Sequence, residues 1–186
     1  KIMSDITKRA ISASLKRLLL TKSLNKITIQ DIADDCGINR QTFYYHFADI
    51  YDLAEWTCIE DTDKVLKENK TYDTWQSGFL AVFTLAKNDK AFIDNIYKSV
   101  SLEMLEQYLY RLVYPLIKSV VDEKAKNYKV RDDEKGYIAD FYKYAFVGVL
   151  LEWVRNDMRE SPEEIVERVG KIVDGAIELA FNNFCK

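Results

Sequence analysis

Residues 28–47 read TIQDIADDCGINRQTFYYHF, and the densest recognition chemistry in the chain lies in their second half. Asn39, Arg40, Gln41 and Thr42 form an unbroken run of side chains that donate or accept hydrogen bonds. Arginine pairs bidentately with guanine and glutamine with adenine in the major groove of DNA, and a threonine methyl suits thymine. Tyr44, Tyr45 and His46 follow, and their polar tips suit phosphates beside the groove, which carry no sequence information. Phe43 and Phe47 flank this polar face at helical spacing and are expected in the core. A structural reading competes for some of these residues: Asn39 can cap a helix, and a lone histidine on a short helix is often a surface or capping residue.

Holding such a run against DNA requires a short helix, a tight turn and a second short helix, and the sequence supplies all three. Thr28 starts the first, with Asp31 three residues on to complete a capping pair. Ile29, Ile32 and Ala33 form its inner face, and Gly37 stops it by adopting a positive φ. Asn39 caps the second helix, which runs to about residue 45 or 46, and Asp49 caps a long one carrying Leu53, Trp56 and Val65. Upstream, a helix capped at Ser4 presents Ile11, Leu15, Leu18 and Leu19 on one face. Charge is divided to match. Residues 1–47 hold eight basic and four acidic side chains, a net +4, leaving 19 of the 27 basic and 26 of the 30 acidic residues, a net −7, to the rest. A basic head on an acidic body approaches phosphates while the body stays in solution.

The segment resembles the DNA-binding domain of the TetR/AcrR family of bacterial regulators, whose pattern runs roughly T-x-x-x-I-A-x-x-A-G-V-S-x-G-T-x-Y-x-H-F. It matches at Thr28, Ile32, Ala33, Gly37, Thr42, Tyr44, His46 and Phe47, with Cys36, Ile38 and Asn39 as conservative replacements. The resemblance extends over residues 4 to about 56, and GINRQTFYYHF followed by DIYDL is similar to regulators found beside dihydroxyacetone kinase genes. Gln41 stands where the family often has glycine, which implies a bulkier reading head. Ile50 stands where a phosphate-contacting lysine is frequent, so the resemblance does not carry that contact over. The resemblance implies DNA-binding residues Thr28, Asn39, Arg40, Gln41, Thr42, Tyr44, Tyr45 and His46. It also implies operator DNA as partner and control, as repressor or activator, by a small-molecule or protein effector bound in the body.

The rest of the chain reads as further helices at about 71–87, 89–98, 101–127, 132–158 and 161–185, giving an all-α protein of about nine helices. It divides into a three-helix DNA-binding domain at 1–48 and a helical effector-binding and dimerisation domain at 49–186. Ser161, Pro162 and Glu164 mark the clearest helix start, and Pro115 predicts a kink or break near Tyr114. The run Ala145–Leu151 is apolar all round, so its helix is expected to be covered on both sides. The last helix shows two stripes: Ile165, Val169, Ile172, Ala176 and Leu179, and Val166, Val173, Ile177, Ala180 and Phe184. One serves the chain's own core. The second, with Gly148 and Leu151, is expected to pair with another copy as a homodimer. The aromatics Trp56, Trp75, Phe79, Phe83, Tyr108 and Tyr144 are the candidates to line an effector cavity, and Tyr72 lies among the same aromatics.

Other functions find little support. No phosphate loop, GxSxG, HExxH or dinucleotide fingerprint occurs, and the single histidine leaves no His-based metal site or triad apart from one built on His46, so no enzyme, metal or cofactor is expected. Three cysteines at wide spacing suit reduced thiols. No run of 18 apolar residues spans a membrane and no signal peptide is evident, so the protein is expected in the cytoplasm. The remaining rival is a protein-interaction module whose helix-turn-helix no longer binds DNA.

Overall fold

In a computed structural model, which describes residues 2–66 and 75–185, ten α-helices and two short 3₁₀ turns are found and no strand occurs among the described residues. They form two compact units, Lys1–Thr62 with Asp89–Leu102, and Asp63–Asn88 with Glu103–Lys186. The first unit is thus larger than the 1–48 segment that carries the motif. The expected helix start near residue 71, and Tyr72, lie outside the described residues.

The first unit contains α1 (Ile2–Leu19), α2 (Ile29–Cys36), α3 (Arg40–His46), most of α4 (Ile50–Leu66), and α6 (Lys90–Ser99). The apolar spacing read from α1 is its buried face, since Ile11, Leu15 and Leu19 are inaccessible or nearly so. They pack in a core with Ile32, Ala33, Phe43, Phe47 and Leu53. Full burial of a side chain such as Phe43 contributes roughly 1.5–3 kcal/mol, which allows helices as short as seven or eight residues to persist. Polar ties complement this core. The Thr57 hydroxyl donates to the Leu53 carbonyl at 2.8 Å and can accept from the Ser12 hydroxyl at 2.9 Å. Asn95 on α6 donates to the Leu19 carbonyl, and its Oδ1 accepts from the Leu24 amide, so it satisfies backbone groups beyond the end of α1.

The second unit holds α5 (Trp75–Asn88), all but the first residue of α7 (Leu102–Lys124), α8 (Asp132–Arg155), α9 (Pro162–Val173) and α10 (Ala176–Phe184). Ser161 caps α9 as expected: its Oγ accepts from the Glu164 amide, and the Glu164 carboxylate accepts from the Ser161 amide. Helix α7 does not break at Pro115. Proline removes one helical hydrogen bond to the carbonyl four residues earlier; Pro115 and Arg111 are both exposed, so water can serve the freed group.

The expected single helix at 161–185 is two. Asp174 ends α9, and Gly175 takes a left-handed conformation (φ 71°) that starts α10 in a new direction. The break changes which side chains face inward. Val173, Ile177 and Phe181 join Val121, Val130, Ile138, Ala139 and Tyr142 in one core. Ile172 and Leu179, expected on an inner stripe with Ile165, are 74% and 62% exposed.

Candidate nucleic-acid interface

The reading head is built by caps on both sides of a tight turn. Thr28 Oγ1 accepts from the Asp31 amide at 3.1 Å, while the Asp31 carboxylate accepts from the Thr28 amide at 2.8 Å. Lys22 donates to the same carboxylate, and these bonds together hold the Asp31 carboxyl down at about 2. Helix α2 ends at Gly37, whose φ of 68° and ψ of 32° place it in the left-handed region, and the Ile38 amide reaches back to the Ala33 carbonyl at 2.9 Å. Asn39 then caps α3, its Oδ1 accepting from the Thr42 amide at 2.7 Å and from the Thr42 hydroxyl at 3.0 Å.

Between these caps the side chains of α3 divide by face. Phe43 is wholly buried and Phe47 nearly so, anchoring the helix to the core. Arg40 and Gln41 are exposed, Tyr44 is 51% exposed and Tyr45 82%. In an ideal helix adjacent tyrosines diverge; here both reach solvent, because Tyr44 sets only its ring edge against Phe43. His46 is half-buried, and its ring meets that of Tyr45 edge-on at 4.9 Å between centroids. Of the eight residues read from the motif, Thr28, Asn39 and Thr42 therefore spend hydrogen bonds on shaping the head. Arg40, Gln41, Tyr44 and Tyr45 present theirs outward.

Most positive charge in the head is already committed, a feature that counting residues along the chain could not reveal. Arg9 pairs with Glu60, Arg17 with Asp35 at 2.5 Å, and Lys22 with Asp31 at 2.8 Å. Lys16 lies between Asp61 and Asp89. Burial opposes the Lys16 charge, but the two carboxylates outweigh it and hold the ammonium above its ordinary range. Burial likewise pushes the Cys58 thiol up to about 12.

The aromatics expected to line an effector cavity are not brought together. Trp56 belongs to the first unit, where its ring meets Phe47 at 5.7 Å. Trp75, Phe79 and Phe83 do form a set, but they stack into a column with Phe146 and Trp153, at centroid distances of 4.6–6.4 Å. Phe83 has no exposed surface, so that part of the column is core, while Trp75 borders a groove between α5 and α9. Tyr108 is half-buried on α7, and Tyr144 is exposed beside Tyr110 and the Lys143 ammonium. Open space lies elsewhere in the second unit. A groove of about 460 Å³ between α5 and α9 is lined by Trp75, Gln76, Glu167, Gly170 and Lys171, and one of about 800 Å³ runs along α7 past Tyr114, Pro115, Lys118 and Asp122.

The expected partner stripe needs the same correction. Val166, Val173 and Ile177 are buried within the chain and cannot also cover a second copy, and Ala180 is half-buried. Gly148 and Phe184 are exposed and Leu151 is half-buried. Sequence reading missed Tyr137 and Phe141, which are 73% and 64% exposed. With Tyr144, Ala145 and Gly148 they follow the i, i+4, i+7, i+8, i+11 spacing of one helical face, the signal that could have found them.

Residues 11–55 match the bacterial regulatory proteins of the tetR family, and residues 73–175 match a transcriptional regulator C-terminal region. The chain belongs to the TetR family. Among curated proteins, this TetR-family chain is 26% identical over 155 residues, covering 80% of both sequences, to the HTH-type dhaKLM operon transcriptional activator DhaS of Lactococcus lactis. Among solved structures it is similar to the dihydroxyacetone kinase operon activator DhaS, with a TM-score of 0.76 at 22% identity over 94% of this chain and 97% of that one. It is also similar to the TetR-family repressor AlkX from a Dietzia strain, with a TM-score of 0.58 at 12% identity over 94% and 97% of the two chains. These structural likenesses establish the fold: a helix-turn-helix head joined to a helical C-terminal region. The protein is a transcriptional regulator of this family. No helix among the described residues is long and apolar enough to cross a membrane, and no cluster of His, Cys, Asp or Glu suited to a metal occurs among them.

Proposed function

We propose that the protein is a sequence-specific DNA-binding regulator that lays α3 in the major groove of an operator as a two-fold dimer, under control of an effector bound in its second unit. The observation that carries this reading is the division of α3. Phe43 and Phe47 fix the helix from behind, while Arg40, Gln41, Tyr44 and Tyr45 are exposed on its outer face, with polar groups that serve no capping bond. Arg40 and Gln41 read base edges, and Tyr44, Tyr45 and His46 reach the flanking phosphates.

The dimer reading is supported by exposed apolar side chains on α8, Tyr137, Phe141 and Tyr144, and by Ile172 and Leu179 on α9 and α10. Large apolar side chains left in water at this density mark interaction surfaces. A two-fold dimer offers two copies of α3 to an inverted repeat. The groove between α5 and α9 has the mixed lining, an indole, an amide, an acid and a base, that a small polar effector needs. The relative matched over four-fifths of both chains is an activator, which favours activation as the sign of control.

The test is a gel shift on the DNA upstream of the protein's own gene. The parent should bind it over random duplex. Arg40→Ala and Gln41→Ala should each lose roughly 1–3 kcal/mol on the specific site and relax preference at one base pair. Folded parent protein with no affinity for any duplex would instead make the chain a protein-interaction module.

A further inference from the structure

The reading head has seven cationic side chains among its described residues, and the structure leaves two of them without an internal role. Arg9, Lys16, Arg17 and Lys22 are each ion-paired with a carboxylate. The Lys8 ammonium stands 5.5 Å from the ring centroids of both Phe47 and Trp56. The Lys26 and Arg40 side chains alone make no hydrogen bond, ion pair or ring contact among the described residues, and both residues are exposed. Arg40 belongs to the base-reading turn of α3. Lys26 closes the 3₁₀ turn Leu24–Lys26, two residues before the Thr28 cap.

Beside Lys26 a neutral donor is held in place. The Tyr51 hydroxyl, on the first turn of α4, donates to Asn25 Oδ1 at 3.2 Å. That bond uses the carbonyl end of the exposed Asn25 amide, and its two N–H donors find no partner among the described residues. Tyr51 itself is fixed at the helix start, because its amide donates to Asp49 Oδ1 at 2.8 Å. An ammonium and an oriented carboxamide on consecutive exposed residues are the two donor types that grip a phosphate diester: one supplies charge, the other direction.

We infer that Asn25 and Lys26, with Tyr51 as the positioning residue, form a phosphate clamp on the DNA backbone flanking the groove that α3 enters. The inference rests on the DNA-binding reading above. Residue 50, where the lysine is replaced by Ile50, supplies no charge to this flank, and Lys26 supplies it from the neighbouring turn. Pairing of Arg9, Lys16, Arg17 and Lys22 with carboxylates also leaves fewer cations free for phosphates than the eight basic residues in 1–47 suggest.

The experiment is a salt titration of full-length protein on the upstream duplex and on a random duplex of equal length. Each phosphate neutralised contributes about 0.9 to the slope of log K against log salt concentration. Lys26→Ala should weaken both duplexes by the same factor and flatten the slope by about 0.9 per head. Tyr51→Phe and Asn25→Ala should weaken both duplexes several-fold with the slope unchanged, because neither removes charge. All three positions are exposed, and circular dichroism would verify that the variants fold. A parent that binds, with Lys26→Ala matching its affinity and slope, overturns the clamp and leaves the functional reading standing. Parent affinity in Tyr51→Phe overturns the positioning role. A parent that binds neither duplex overturns the functional reading and the clamp with it.

Discussion

Ile177 and Leu179 sit two residues apart on α10 and should fail in opposite ways when cut back to alanine. Ile177 is 3% exposed in a core with Val173 and Phe181, whereas Leu179 is 62% exposed. Truncating a buried isoleucine removes its transfer energy and leaves a cavity, at about 2–5 kcal/mol. Ile177→Ala should therefore lower folding stability by that amount, read by urea denaturation at a concentration where every variant is monomeric. Leu179→Ala should change that measurement little. Its cost appears on assembly: full burial of a leucine contributes about 1.5–3 kcal/mol, and the exposed three-fifths of it about 1–2. A two-fold interface contains each residue twice, so the dimer should weaken by about 2–4 kcal/mol, roughly 30- to 700-fold in dissociation constant. Sedimentation velocity over a concentration series measures this directly. Loss of stability with normal dimerisation in Leu179→Ala, together with full stability but monomeric behaviour in Ile177→Ala, would refute this division; it is the pattern the two stripes of an unbroken helix would give.

Gly37→Ala should cost about 1–2 kcal/mol of stability from backbone conformation alone, since an added Cβ would meet nothing within 4 Å; Gly37→Asn should cost less, and equal stability of parent and Gly37→Ala in urea would contradict the left-handed cap. Lys16 has a folded pKa raised above its ordinary 10.5 by Asp61 and Asp89 against the opposing effect of burial, so its stabilising effect is complete below that value and lost as pH climbs through the folded pKa. The stability gap between the parent and Lys16→Met should hold from neutral pH to about pH 10 and close above 10.5; a gap constant through that range would sink the assignment.

Several features of this protein are local and were legible in the sequence. A capping threonine three residues before an aspartate, a glycine at the end of a short helix and an asparagine opening the next are satisfied by neighbours within four residues, so the helix-turn-helix could be placed before any tertiary contact was known. The same holds for Ser161, Pro162 and Glu164 at the start of α9, and for the buried face of α1. What each side chain faces is a relation between distant segments, and only the tertiary structure decides it. Gly175 could have been an ordinary helical glycine; it is left-handed and redirects α10, so that Ile177 and Phe181 pack with Val121 and Ala139 while Leu179 faces solvent. Trp75, Phe79 and Phe83 have the same spacing whether they line a cavity or fill a core, and Phe146 and Trp153 from α8 fill it. Net charge is likewise additive along the chain, but the charge available to DNA is not. Glu60, Asp61, Asp35 and Asp31 each neutralise a cation through contacts spanning from 9 to 51 residues, so the charge the head offers to DNA is smaller than its composition suggests.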